Sequence, residues 1–598
     1  MFAGVVVSTL TLVSCGFGNS SDRTVDSAFS KNSLMVMTVD FSDDNQVKNF
    51  NNLVDQFPTT GFMGFIPKAF DGQGKVDGFT WKEDVQPILD GKWKLGVGIS
   101  APAKEAVETN NGPKIIFAGK FSETAKVKSL LDKFVANKKG VFADMKYEKK
   151  DGVEYWIGAS NQFYLALDKD VFIIAPNEAD MAEGVKTLDD NEGLDKSDNF
   201  KTYSKNQGGG LMTYYFNSKD IIDKADPKDG VGKWLVEMLG SVTDEYSGIF
   251  ADADGFRSMM EANVDEKSSG FKKLLADPSY KLSLIDKVNS KGLFFYVEGG
   301  SLKNGFLSYL LDAGNSAEKP TTDNVLGALG LNAPSSIADV SSPTSEYGTA
   351  FEFLKKIDVL LSSPYAISIS DKENYLPAIA LYFQLKNDDV EKGKQLITDF
   401  DGYVDEVLVE VNKVLPAVDG QISFAKKDVI VVNGAALHKV YVDWKAVPQD
   451  LINEWSTKSG INVTTVRNEF YYGLMGDNTF VIAWYPDFPT VYGKDVLAQN
   501  ADYKEAFAKL GDGYGMSVSY LDTKPLITFV DKFLKMAVSM NTTDGLGKDL
   551  ALGYVKLAEK FIGTVQYSIS SSKYKDGKMN AKSFVRIQKV LDEESETK

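Results

Sequence analysis

The chain holds one histidine and one cysteine, and that scarcity limits the chemistry its side chains can build. A Ser-His-Asp or Cys-His site needs an imidazole beside the nucleophile, so any such site must use His438. His438 lies in Ala435-Ala-Leu-His-Lys-Val-Tyr-Val-Asp-Trp444, whose alternation marks a strand with His438 on the face of Val440, Val442 and Trp444. That setting reads as a satisfied histidine of a core or strand edge. There is no Gly-x-Ser-x-Gly elbow, Walker A loop or His-Glu-x-x-His helix. Ser269…Lys272, Ser570…Lys573 and Ser572…Lys575 spell Ser-x-x-Lys, but no Lys-Thr-Gly accompanies them. Phe250-Ala-Asp252-Ala-Asp254-Gly255, with Glu261, has the spacing of a calcium loop whose first ligand position is an oxygen-free Phe250. Asp252 or Asp254 is better read as the cap of a following helix. Gly72-Gln-Gly74-Lys-Val-Asp-Gly78 lacks the dinucleotide spacing and reads as a loop, and Gly208-Gly-Gly210 as a turn into a strand. Carboxylates paired across a cleft could hydrolyse glycosides, and the 7 Trp and 26 Tyr could stack on sugars. Most of these aromatics, such as Tyr155-Trp156 and Trp484-Tyr485, fall in strands at core spacing. The expectation is therefore no catalytic residue, no metal and no cofactor.

Cys15 has a different use. Phe2–Val13 is a short apolar run, followed by Leu12-Val13-Ser14-Cys15-Gly16. This is similar to a lipobox, with an aliphatic residue three before the cysteine and small residues around it. The run is about half the ~20 residues that span a bilayer, so residues 1–14 read as a signal peptide and Cys15 as a lipidation site. No Lys or Arg precedes Cys15, a departure that an upstream start codon would account for. Residues 15–32 then read as the lipidated cysteine and a flexible tether, and 592–598 as a charged tail.

The bulk properties agree with an anchored, folded chain. With 83 acidic against 66 basic residues the net charge is −17, a sign that repels nucleic acid and other polyanions. No segment after Cys15 is apolar enough to span a membrane, and a single cysteine forms no internal disulfide.

The elements that would position any site occur twice. Tyr164–Ala175 and Tyr472–Ala483 are hairpins matched without a gap, with turns at Asp168-Lys-Asp170 and Gly476-Asp-Asn478. Lys94–Ser100 parallels Pro364–Ser370. Ile115–Phe121 and Ala378–Leu385 each run into an amphipathic helix, the first capped by Ser122 and the second opening at Asn387. Asn199–Tyr203 parallels Asp502–Ala506, and Gly210–Phe216 parallels Gly515–Leu521, with helix caps near Ser218 and Thr523. The entry strands Ser33–Phe41 and Gly292–Val297 also correspond. The expected fold is α+β: two tandem related copies, 31–285 and 286–592, each a mostly antiparallel sheet with hairpins, covered on one face by amphipathic helices. Pro320–Ser345 reads as a long loop in the second copy.

Val85-Gln-Pro-Ile-Leu-Asp-Gly91 with Leu95 and Val97, the first hairpin, Phe200-Lys201 and Gly210 resemble the recurring signature of a family of bacterial extracytoplasmic lipoproteins with domains of unknown function, as found in cyanobacteria and Bacteroidetes. The second copy has Lys356–Ser362 in place of the Pro-x-Leu-x-Gly piece. The resemblance implies a fold and a location outside the cytoplasm, and no activity. The expected protein is lipid-anchored to a bacterial cell membrane or outer membrane, with a non-catalytic binding or structural role in the cell envelope. Its expected partner is a protein or envelope polymer. The alternatives are a carboxylate-based hydrolase and a small-solute-binding lipoprotein.

Overall fold

The computed structural model describes residues 24–57, 80–100, 114–137, 145–158, 164–190, 192–218, 240–268, 270–271, 275, 277–302, 356–372, 377–414, 425–459, 462–465, 469–541 and 545–588. Cys15, the Gly72–Gly78 loop, the Pro320–Ser345 loop and the 592–598 tail lie outside the described residues. The chain is an α+β protein of antiparallel sheet and helices, and it divides into two compact units. The first comprises Met1–Asp226, Val242–Asp265 and Gly577–Asn580; the second comprises Pro227–Ser241, Glu266–Asp576 and Ala581–Lys598.

The first unit runs β1 (Met35–Asp40), α1 (Asp44–Val54), β2 (Trp93–Ser100), β3 (Lys114–Phe121), α2 (Thr124–Asn137), β4 (Lys146–Lys150), β5 (Val153–Ile157), β6 (Tyr164–Asp168) and β7 (Val171–Ala175). It continues with α3 (Glu178–Asp189), α4 (Asp198–Gln207), β8 (Met212–Asn217), β9 (Val242–Asp252) and β10 (Gly255–Val264). Its strand order is 10-9-8-1-2-3-7-6-5-4, every neighbour antiparallel.

The second unit runs β11 (Leu293–Gly299), β12 (Tyr365–Ser370), β13 (Ala378–Gln384), α5 (Val390–Val414), β14 (Ala425–Val432), β15 (Ala435–Val442), α6 (Gln449–Ser459), β16 (Glu469–Leu474) and β17 (Thr479–Trp484). Then come α7 (Ala501–Ala508), β18 (Ser517–Asp522), α8 (Thr523–Asn541), α9 (Gly545–Thr564), β19 (Val565–Lys575) and β20 (Lys578–Ile587), whose first residues group with the other unit. Its order is 20-19-18-11-12-13-17-16-15-14.

Helices cover both faces of each sheet, not one. Val171-Phe-Ile-Ile-Ala175 is an unbroken apolar run because both of its faces are buried. Ile173 packs with Met181, Val185 and Leu188 of α3, while Phe172 packs with Leu131 of α2 on the other side. Thr479-Phe-Val-Ile-Ala483 is buried the same way: Val481 and Ala483 face the cluster that contains Ala506 of α7, and Phe480 and Ile482 face Leu396, Phe400 and Val404 of α5.

Several local expectations change. Asp168 pairs with Val171, leaving a two-residue loop, whereas Met475 N–H donates to Thr479 O across the three residues Gly476–Asn478. The two hairpins therefore differ by one loop residue, against the gapless match expected. Ser122 does not cap α2; its Oγ accepts from Lys92 N–H at 2.8 Å. The helix expected after Ser218 lies outside the described residues; the Ser218 hydroxyl donates to the carbonyls of Val242 and Thr243, and that of Thr523, itself the first residue of α8, to the carbonyls of Val565 and Gln566. These hydroxyls fasten the start of β9 and β19 and leave the N-terminal amide of α8 at Lys524 to Asp522. No helix follows Asp252 and Asp254, which lie at the tight connection between β9 and β10.

The tether expected over 15–32 is not free from residue 24 onward, and the boundary expected at 285/286 falls earlier. Val25–Ala28 forms a buried 3-10 turn, and Leu194 N–H donates to Phe29 O at 2.6 Å. Leu284 and Val288 are buried in the second unit's core, and Leu497 N–H donates to Val288 O at 2.8 Å. Each apolar entry segment is thus part of the unit that follows it. The Phe29 ring lies on Gly96 and Gly98 of β2; a Cβ on Gly96 would stand 2.8 Å from it, and one on Gly98 closer still. Gly98→Ala should therefore cost about 1–3 kcal/mol of unfolding free energy by overpacking. In combination with Phe29→Val the loss should be less than the sum of the two single losses, as urea unfolding of a double-mutant cycle would measure.

Candidate functional site

Asp401 is the centre of a polar constellation in the second unit. It projects from α5 onto the face carrying Lys427 of β14, His438 of β15 and Tyr472 of β16. Strand pairing sets His438 opposite Tyr472, and their rings stack with centroids 5.2 Å apart at 27°. Asp401 Oδ1 is 2.9 Å from His438 Nδ1 and accepts from the Tyr472 hydroxyl. Lys427 Nζ reaches Asp405 at 2.7 Å and Asp401 at 3.3 Å. Below them Phe400 and Phe470 flank the Tyr472 ring.

The electrostatics follow from this packing. Burial alone would raise the Asp401 carboxyl, but the Tyr472 hydroxyl, the imidazole and the Lys427 ammonium outweigh it and hold it below its ordinary value. The Tyr472 phenol is pushed far up by burial and by its hydrogen bond to a carboxylate. An imidazole oriented by an aspartate is half of a nucleophile-activating arrangement. Among the described residues, no hydroxyl or thiol is paired with Nε2, so the geometry orients the ring without giving it a nucleophile.

Two other buried carboxylates, Glu298 and Asp244, each gather several donors of their own unit. Glu298, fully buried, accepts from Tyr280 OH at 2.5 Å, Ser283 N–H at 2.6 Å, Leu284 N–H at 2.8 Å and Tyr296 OH. Asp244 accepts from Tyr203 OH at 2.6 Å and from Asn263, Thr243 and Asn199. Asp26 binds Lys94 at 2.7 Å, and Asp40 lies 3.5 Å from the same ammonium. Burial works to lower Lys94, but these two carboxylates outweigh it and raise it. Asp531 of α8 is paired with Lys535 one turn on, at 2.7 Å. No group of three or more His, Cys, Asp or Glu among the described residues could hold a metal.

Of the residues singled out in the sequence, Asp252 makes a two-pronged pair with Arg257, at 2.9 and 3.2 Å, and Arg257 lies over the Phe250 ring. Ser570 and Ser572 bond Ser519 and Ser517 across two strands, at 2.8 and 2.6 Å. Trp156 is core, whereas Trp484 is half exposed beside Phe470. Trp444 lies beyond β15 and packs edge-on to Trp455. His438 is satisfied, as its strand setting suggested. Its partners were invisible in the sequence because Asp401 and Tyr472 lie 37 residues before it and 34 after it.

No family model and no curated protein matches the chain. Among solved structures, crystal form I of TP0453 aligns over 42% of this chain and 82% of its own, at 10% identity and a TM-score of 0.24. Crystal form III aligns over 42% and 83%, at 11% identity and a TM-score of 0.25. Likeness at this level assigns neither fold nor function. Among the described residues no helix is long and apolar enough to cross a membrane.

Asp401→Asn should lower unfolding free energy at neutral pH by about 1–2 kcal/mol, since a partly exposed carboxylate loses charge-assisted bonds. A carboxyl held below its ordinary value stabilises the fold above the unfolded-state value of about 4, and that contribution is lost as pH falls through the lower folded value. Urea unfolding from neutral to strongly acid pH should show the difference between wild type and variant shrinking only below about pH 4.

Proposed function

We propose that this chain is a lipid-anchored extracytoplasmic protein with a non-catalytic binding or structural role in the cell envelope, built from two copies of one module. The observation that carries the reading is the strand order, in which every strand of one unit has its counterpart ten strands later. The ladders agree residue by residue. Met37 faces Val97, Val97 faces Phe117, and Phe117 faces Ile174, as Val297 faces Ile367, Ile367 faces Leu381, and Leu381 faces Ile482. On the other side Met37 faces Tyr214 as Val297 faces Ser519. The isolated bridges Ser30–Gly193 and Asn289–Val496 sit at corresponding places.

The same correspondence sets Trp156 against His438 and Leu165 against Tyr472. One copy keeps an apolar core at the position where the other holds the Asp401 constellation. A module kept twice, whose buried Glu298 and Asp244 are each held by several donors, suits a protein that presents surfaces rather than one that turns over substrate. The partner class that fits is a protein or envelope polymer, which two related modules can grip at two points. The apolar run before Cys15 supports the anchor.

Cys15→Ala should abolish detergent-phase partitioning and the mobility shift produced by globomycin in the wild-type chain. A wild-type chain that fractionates as a water-soluble protein and ignores globomycin would sink the anchoring. An experimental structure whose 164–175 and 472–483 hairpins take non-equivalent places would sink the duplication.

A further inference from the structure

The two sheets end differently. β4, the last strand of the first unit's order, is Lys146-Tyr-Glu-Lys-Lys150. Its five residues are all exposed and four are charged, which is how natural proteins guard an open edge against pairing. β14, the last strand of the second unit's order, is Ala425-Lys-Lys-Asp-Val-Ile-Val-Val432. Among the described residues it pairs only with β15, so from Lys426 to Val432 its far edge presents backbone donors and acceptors with no described strand beside them. Four β-branched residues occupy its last half, and Val431 is 76% exposed and Val429 58%. The two lysines that could guard this edge are turned to their own unit: Lys426 is held by Asp443 at 2.5 Å, and Lys427 by Asp405 and Asp401. Asp428 is likewise engaged by Tyr441 OH at 2.8 Å.

We propose that the β14 edge pairs antiparallel with β14 of a second copy of this chain, about a twofold axis at Ile430. The strand is self-complementary in that register. Val429 of each copy stands opposite Val431 of the other, giving two β-branched cross-strand pairs on one face, and no charge stands opposite a like charge. The Lys426–Lys427 pairs of the two copies fall at opposite ends, separated by about six residues or ~20 Å, beyond the screening length of ~8 Å at physiological salt. A parallel pairing in register would instead stack lysine on lysine. An eight-residue strand alone buries less than the ~800 Å² per partner of a standard interface, so the dimer is weak. The net charge of −17 on each copy opposes it, so added salt strengthens it.

Sedimentation equilibrium of the full chain at about 1–200 µM should show reversible monomer–dimer exchange, tighter in high salt. Val431→Lys, at a largely exposed position, should weaken the dimer at least about tenfold while leaving circular dichroism and melting unchanged. With Cys15 replaced by Ser, a mixture of Val429→Cys and Val431→Cys chains should form disulfide-linked heterodimers in preference to either homodimer. A wild-type chain that stays monomeric at every concentration and salt, or one that pairs only with a strand of another protein, would overturn the self-pairing. So would a dimer that Val431→Lys leaves intact, or cross-links with no preference for the mixed pair.

Discussion

Burial of the central strands on both faces is the constraint on which the rest of each unit depends. Ile173 and Phe172 point to opposite sides of one strand, and so do Val481 and Phe480; all four are buried. Fully burying such side chains contributes roughly 1.5–3 kcal/mol each, and it needs a cover on each side. That requirement places α3 and α4 on one face of the first sheet and α2 on the other, with α7 and α5 in the corresponding roles in the second. It also recruits the entry segments. Phe29 fills a surface that Gly96 and Gly98 leave flat, and Val288 is buried in the second unit's core.

The most deeply buried carboxylates of these cores gather several donors each. Glu298 gathers two phenols and two amides, and in doing so ties the segment ending at Leu284 to strand β11. Asp244 does the same for α4 and β10 through Tyr203 and Asn263. A buried carboxylate with four donors resists rearrangement, because losing any one donor leaves a charge short of solvation. These clusters are fasteners.

In the second unit Tyr472 and His438 face each other across β16 and β15, and Asp401 reaches them from α5. Beside them, the last half of β14 is apolar, and its lysines are drawn to Asp401, Asp405 and Asp443. Asp401, which satisfies the imidazole, is also one of the two carboxylates that draw Lys427 from the edge.

The sequence by itself determined the element types and most of the pairing. Continuous apolar runs such as Val171–Ala175 announce strands, and the i, i+4 intervals of Val127, Leu131 and Val135 put one face of α2 on a core. Asp151-Gly152, Asn433-Gly434 and Asp576-Gly577 carry positive φ at both residues, a local turn chemistry written in two letters. What only the tertiary structure decided is non-local. Burial of both sheet faces, the recruitment of residues 25–29 and 284–288, the extra hairpin residue at 476–478 and the meeting of Asp401, His438 and Tyr472 all depend on contacts between distant segments. Periodicity reports which side of an element is apolar, but not what covers it, and hydrogen-bond partners 30 or more residues apart leave no spacing to read.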